Sequence, residues 1–336
     1  MTAHRAALDH ILGVVAEQPW AECLVLRGSM TMASWVGDAA RPPGDIDWVV
    51  WPPDAVPVDY LDPYPVLDPV DVPHHWPEAA RHLPWTFQEF DTDGPQSASS
   101  PDHASWVSGA QPDEAPDPVH DRLERLLAAH PRASGGVVLD ASRIAHEATW
   151  DYTVSWSEYS NIRMVAGSRA RMVIPWTAPG GEIGSARIDL AYDEVMADAV
   201  VRTPIRRADG LPPTMAWTAS RELSLAWKLH WLIVDQATEG VSAMKDVYDA
   251  VLLAELDGMC LSRRLRRLVL SAEGATRLVA PSGIPKWVLD APPPVGGSPG
   301  PWLARLAAAV DRLVLAFGRP SPAPDTRLGE SAHRPL

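Results

Sequence analysis

Apolar residues recur at helical spacing over residues 4–17, His-Arg-Ala-Ala-Leu-Asp-His-Ile-Leu-Gly-Val-Val-Ala-Glu, which predicts a helix. The short apolar run Cys23 to Leu26 predicts a strand entering a turn at Gly28-Ser29. Met30 to Val36 predicts a helix leaving that turn, and Ile46 to Val50 the next strand. Helical spacing returns at 119–130, around Leu123, Leu126 and Leu127. Residues 151–158 alternate in part through Tyr152, Val154 and Trp156, as a strand does. Ser168 to Trp176 and Ser185 to Tyr192 predict two strands joined through Pro179-Gly180-Gly181, a hairpin. Beyond residue 215 the pattern is helical, over 219–236, 241–256, 259–272 and 300–317, with a Pro/Gly-rich linker at 290–300.

One long stretch breaks this order. Residues 52–120 hold fourteen prolines and thirteen acidic residues against one arginine, Arg81. Proline fixes φ and removes a backbone donor, so an irregular insertion is expected there, partly pinned by Trp76, Trp85, Phe87 and Phe90. The resulting organisation is an α/β core over residues 1–210 carrying that insertion. A helical C-terminal domain over 211–318 and a disordered tail over 319–336 follow.

Composition narrows the class. A chain of 336 residues that is 46 % hydrophobic can bury a sizeable core in one large or two smaller domains. A net charge of −14 argues against broad nonspecific binding to nucleic acid or anionic membrane, though it permits a local basic groove. Two clusters could guide an RNA backbone: Arg263-Arg264-x-Arg266-Arg267 on a predicted helix, and Arg163, Arg169, Arg171 and Arg187 on or near the hairpin. Cys23 and Cys260 lie in apolar segments and are expected as small buried residues, with no disulfide framework or zinc site. No signal peptide is evident at the start, and no apolar run reaches the roughly 18 residues that a membrane span needs. A cytoplasmic protein without membrane partners is expected.

The candidate chemistry sits in Gly28-Ser29 and Asp45-Ile46-Asp47. Glycine lets backbone approach a phosphate without an intervening Cβ. Serine offers a hydroxyl and a turn amide to that phosphate. On a strand, Asp45 and Asp47 face the same side, about 7 Å apart, a spacing that suits hard cations such as Mg²⁺. Asp189 lies in the middle of an apolar strand, where a lone charge is costly, so it needs a partner or a metal. Asp45, Asp47 and Asp189 would together form a two-metal site for nucleotidyl transfer from a nucleoside triphosphate. Trp48 and Trp51 flank the pair and could line a nucleotide pocket, or pack in the core.

Three stretches resemble the AbiEii-type nucleotidyltransferase toxins, a branch of the DNA polymerase β-like superfamily. They are Arg27-Gly28-Ser29 with Arg41-x-x-x-Asp45-Ile46-Asp47; Ile188-Asp189; and Ala226-Trp227-Lys228-Leu229-His230 with Lys245-Asp246-Val247-Tyr248-Asp249. The resemblance spans residue 24 to about residue 257, around the proline-rich stretch. Pro43 stands where the family has a hydroxyl residue between the arginine and the Asp pair. The resemblance implies a polymerase β-like core with a mixed sheet, followed by a helical domain. It implies nucleotide binding by Gly28, Ser29, Arg41, Lys228 and Asp246. Catalytic roles would fall to Asp45, Asp47, Asp189, Lys228 and Asp246, with Asp189 the third metal ligand or the base that orients the acceptor hydroxyl. Lys228 would reach a phosphate oxygen, with Asp246 orienting it. It further implies a toxin of a toxin–antitoxin or phage-defence pair, with tRNA 3′ ends as acceptor and an antitoxin as partner. Two other readings stay open: nucleotidylation of a small molecule such as an aminoglycoside or of a protein side chain, and a non-catalytic nucleotide- or partner-binding protein.

Overall fold

The computed structural model describes residues 2–50, 55–57, 85–89, 104–108, 119–147, 152–158, 161–167, 169–191, 196–198, 200–271, 275–279 and 283–315. Helix α1 (Ala3–Ala16) begins where Thr2 Oγ1 accepts from the amide of Arg5 at 3.2 Å. The chain then runs through β1 (Leu24–Arg27), α2 (Ser29–Val36) and β2 (Ile46–Val50). Within the proline-rich stretch, β3 (Ala55–Pro57), β4 (Trp85–Glu89) and β5 (Ala104–Ser108) pair antiparallel in the order β3-β5-β4. The stretch expected to be irregular therefore contains a small sheet. Its prolines fall between strands or, as Pro57, at the end of β3, an edge strand of that sheet, where proline is tolerated. The expected pinning lies outside what is described, which leaves out Trp76 and Phe90 and the side chains of Trp85 and Phe87; Trp51, Ser168, Tyr192 and the tail after residue 315 also lie outside the described residues.

Then come α3 (Val119–Ala129), β6 (Val138–Leu139), β7 (Ala145–Glu147) and a hairpin of β8 (Tyr152–Glu158) with β9 (Asn161–Gly167). A longer hairpin, β10 (Arg169–Thr177) with β11 (Ile183–Ala191), turns through Gly180 and Gly181, both at positive φ. A third hairpin, β12 (Val200–Ile205) with β13 (Thr214–Ala219), was not legible as strands, because Pro204 interrupts β12 and Pro212-Pro213 fill the connection. Pro204 is tolerated since β12 is an edge strand. The rest is α4 (Arg221–Thr238), β14 (Val241–Ser242), α5 (Met244–Ala254), α6 (Arg263–Leu270), α7 (Ala275–Leu278), β15 (Val288–Leu289) and α8 (Gly300–Val310).

One mixed sheet runs β12-β13-β1-β2-β11-β10-β6, with β7 also beside β10. The pairs β1–β13 and β2–β11 are parallel and the others antiparallel. Strand alternation sends successive residues to opposite faces, and each face has its own core. Leu24 and Leu26 of β1, Ile46 and Trp48 of β2, and Ile188 and Leu190 of β11 pack against Leu8, Ile11 and Leu12 of α1 and Leu123 of α3. On the other face, Val25, Val49 and Ala219 pack with Met32 of α2, Trp227 of α4 and Val247 of α5. The chain is thus a mixed α/β fold. The boundary expected at residue 210 falls inside the third hairpin: β13 belongs to the sheet, and the helices begin at α4.

Asp9 explains how that hairpin is held. It is buried on α1 and accepts from Arg5 Nε at 2.9 Å and from the amide of Ala208 at 2.8 Å. A buried carboxylate satisfied by a guanidinium and a backbone donor ties the first helix to a segment far along the chain. Cys23 is half-buried and Cys260 exposed, against the expectation of two buried thiols; Cys260 follows the left-handed Gly258 in the link from α5 to α6. Among the described residues no helix is long and apolar enough to cross a membrane.

Candidate active site

The turn between β1 and α2 depends on Gly28 for two reasons. Its φ of +74° and ψ of −150° suit glycine alone among common residues. A Cβ there would also lie 2.2 Å from Asp47 Oδ2, so no side chain fits between turn and carboxylate. Ser29 opens α2, is buried, and donates from Oγ to Asp45 Oδ1 at 3.5 Å. The first amides of α2 and the Ser29 hydroxyl thus lie beside the Asp pair, where a helix N-terminus favours anions.

The carboxylates converge because of register. Asp47 of β2 lies beside Asp189 of the parallel strand β11, and Asp45 precedes Asp47 by two residues on the same face. One ligand oxygen from each of Asp45, Asp47 and Asp189 lies within 4.8 Å of the others. Burial, and then the charge of Asp45, push the Asp47 carboxyl up to about 7; Asp189 adds to this, while Arg27 and Lys228 oppose it. Asp189 also accepts from Arg171, Nε to Oδ1 at 2.6 Å and Nη2 to Oδ2 at 2.8 Å.

A raised carboxylate sets the sign of a pH effect. Between 3.8 and about 7 the folded chain keeps a proton on Asp47 that the unfolded chain has released. The contribution to stability is full below the unfolded value and is lost as pH rises through the folded one. The metal-free protein is therefore expected to lose stability from pH 4 to 7 more steeply than Asp47→Asn, with the urea midpoint as readout. Equal slopes would show that Asp47 does not titrate in this window.

A second cluster joins the α2–β2 link to the helices. Lys228 of α4 is buried and donates from Nζ to Asp246 Oδ1 at 2.7 Å, with Asp249 Oδ2 at 3.0 Å. Asp249 of α5 also accepts from Arg41, Nη2 to Oδ2 at 3.0 Å and Nε to both oxygens at 3.2 Å. Tyr248 donates its hydroxyl to the carbonyl of Ala39 at 2.7 Å, a second clamp on the same link. Burial alone would push the Lys228 ammonium down, but Asp246 and Asp249 outweigh it and hold it above the usual lysine range. Burial would raise Asp246; Lys228 outweighs that and holds its carboxyl below the usual range.

The sequence-derived residues therefore fall into two adjoining groups. Gly28, Ser29, Asp45, Asp47 and Asp189 share the turn and the strand ends; Arg41, Lys228 and Asp246 join Asp249. Lys228 and Arg41, expected to meet the nucleotide, here direct their charges to carboxylates of α5. Lys228 still acts on Asp47 through space. Trp48 does not line this site: it faces the opposite side of the sheet and is buried there. Sequence reasoning quoted Arg27 in the first motif but gave it no role; its guanidinium lies 5.2 Å from the centre of the Trp227 ring and 4.9 Å from that of Trp231, two indoles stacked at 11°. The spacing of Trp227 and Trp231, one helical turn apart, was the available signal for that platform. Of the basic residues considered for RNA, Arg187 is exposed on the face of Asp189, and Arg266 donates to the carbonyl of Leu261 at 2.7 Å. The side chains of Arg163, Arg263 and Arg264 lie outside the described residues.

A glycine turn opening a helix beside converging carboxylates on a mixed sheet is the layout of the nucleotidyltransferases. The family model described as "Nucleotidyl transferase AbiEii toxin, Type IV TA system" matches residues 10–289, and the chain belongs to that family. Among solved structures it is similar to MenT4, a nucleotidyltransferase toxin from Mycobacterium tuberculosis. That likeness has 12 % identity and a TM-score of 0.40, over 91 % of this chain and 80 % of the other. No curated protein matches the sequence.

Proposed function

We propose that this toxin-family nucleotidyltransferase moves a nucleoside monophosphate from a nucleoside triphosphate to the hydroxyl at a tRNA 3′ end, with Mg²⁺, in the cytoplasm, and that a cognate antitoxin restrains it. The observation that carries the reading is the convergence of Asp45, Asp47 and Asp189 within 4.8 Å beside the Gly28 turn. The donors fit the ion: all three are hard carboxylate oxygens, and burial together with their crowding pushes Asp47 toward protonation, which a cation would relieve. Asp45, Asp47 and Asp189 would hold it. The chemistry supplied there would be activation of the attacking hydroxyl and neutralisation of the charge that develops on phosphorus and on departing pyrophosphate.

The remaining roles belong to the chain. Gly28 leaves room for the Asp47 carboxylate beside the turn, and the Ser29 hydroxyl with the first amides of α2 receives the triphosphate. Lys228 keeps a positive charge near Asp47, held in place by Asp246 and Asp249. Arg41, tied to Asp249, fixes the link that carries Asp45. The products are a nucleotide-extended acceptor and pyrophosphate.

The test is incubation of the purified chain with Mg²⁺, total tRNA and each α-labelled triphosphate in turn. Label on tRNA with at least one triphosphate, abolished by chelation, is expected. A folded, Mg²⁺-binding protein that labels no RNA would sink the tRNA reading. Label on an aminoglycoside or a protein instead would transfer the activity to that acceptor.

A further inference from the structure

Five strands each bring one charged side chain to a single row across the sheet. Arg27 of β1 lies opposite Asp47 of β2, Asp47 beside Asp189 of β11, Asp189 opposite Arg171 of β10, and Arg171 opposite Glu147 of β7. The signs alternate except at the centre, where the two carboxylates adjoin. Like charges on neighbouring strands destabilise a sheet, and here each is bracketed by a guanidinium. The brackets differ in kind. Arg27 lies against the faces of Trp227 and Trp231. Arg171 forks onto both oxygens of Asp189 at 2.6 and 2.8 Å, and its Nη1 lies 3.6 Å from Glu147 Oε2. Two parallel bonds fix the plane of a carboxylate as well as its place.

We propose that Arg171 is a positioning residue of the nucleotidyl-transfer site, whose grip on Asp189, backed by Glu147, fixes that carboxylate as a metal ligand. The proposal rests on the reading of Asp45, Asp47 and Asp189 as a metal site. It takes Asp189 in the ligand role, since one of its oxygens lies within 4.8 Å of ligand oxygens of Asp45 and Asp47 while Arg171 holds the carboxylate from the other side. Two effects of Arg171 on the ion oppose each other. Its charge repels a cation, but Arg171 is 33 % exposed and water screens that repulsion. Its fork removes the rotational freedom that Asp189 would otherwise lose on binding. Loss of a group that orients a metal ligand typically weakens affinity roughly 10–100-fold. Orientation therefore outweighs repulsion.

The opposite signs make the test decisive. Mn²⁺ binding to the full chain is followed by electron paramagnetic resonance of the free ion, for wild type, Asp189→Asn, Arg171→Ala and Arg171→Lys. Wild type is expected to bind, Asp189→Asn to bind weakly, and Arg171→Ala to lose roughly 10–100-fold in affinity. Arg171→Lys, which keeps the charge but cannot fork, is expected to lose nearly as much, and it serves where the alanine variant does not fold. A merely structural role would lower the melting temperature of either variant and leave the Mn²⁺ affinity of the folded fraction unchanged, which overturns the proposal. Unchanged or tighter binding in both Arg171 variants, with Asp189→Asn still weakened, overturns it as well. No Mn²⁺ binding by wild type, or no effect of Asp189→Asn, overturns the metal reading itself and the proposal with it.

Discussion

Asp47→Ala is expected to remove nucleotidyl transfer and leave the chain folded. Asp47 is the central member of the carboxylate cluster: Asp45 precedes it on the same face, Asp189 adjoins it on β11, and Gly28 has no Cβ so that it fits. A metal ligand at a transferring phosphoryl group is worth several kcal/mol, so the rate should fall on the order of 10³-fold or more. Folding should not suffer, because the ionised Asp47 is opposed by burial and by its carboxylate neighbours in the metal-free protein. The melting temperature of the metal-free variant should match or exceed that of wild type at neutral pH. Asp189→Ala should differ, since it strands the Arg171 fork and costs stability as well as activity. Labelled-product formation and melting curves on the same preparations separate the two losses. Activity within tenfold of wild type in Asp47→Ala would end the metal-centred reading. Expression in a host gives a parallel readout: wild type should slow growth and Asp47→Ala should not.

The features read correctly from sequence were those set by short-range spacing. Gly28-Ser29 and Asp45-x-Asp47 needed only a strand, a turn and a helix in succession, and α2 and β2 supply them. The β10–β11 hairpin followed from Pro179-Gly180-Gly181. That hairpin also contained an unread clue: Arg171 and Asp189 are equally distant from Gly180, so a symmetric turn sets them opposite each other. Asp189 was understood as a charge in need of a partner, and Arg171 is the partner its own hairpin provides. The charge row was less legible, because its β2–β11 and β7–β10 neighbours come from pairings between distant segments. The third hairpin was missed because prolines hide a strand pattern wherever an edge position tolerates them.

The lysine shows the limit most clearly. A helical lysine near a phosphate site reads as a phosphate ligand, and nothing local to Lys228 says otherwise. What the structure adds is Arg41, which is 208 residues from Asp249 in sequence yet bonded to it. Spacing on α5 does place Asp246 and Asp249 on one face. It does not reveal that Asp249 is shared between two cations from different parts of the chain.

That sharing makes Asp249→Ala the substitution with the largest expected cost in stability. Asp249 is 0 % exposed and neutralises both Lys228 and Arg41. Its removal leaves two buried or half-buried cations with only Asp246 close by. Breaking a buried pair from one side typically costs about 3–5 kcal/mol, and the melting temperature should fall on the order of 10 °C. Asp246→Ala should cost less, since Asp246 is 20 % exposed and Lys228 keeps Asp249. The charge balance itself can be tested by removing one cation with the anion. Lys228→Met combined with Asp249→Leu leaves Arg41 and Asp246, one charge of each sign, in an otherwise apolar setting. Buried ion pairs replaced whole by apolar residues are often neutral for stability, so the double variant should recover much of the loss. It should remain inactive, because the Lys228 charge that acts on Asp47 beside that of Arg27 is gone. Chemical denaturation of wild type, each single variant and the pair gives the coupling energy directly. Additive losses would mean that Lys228 and Asp249 stabilise the fold through separate contacts, and that the bond between them is not what joins α4 to α5.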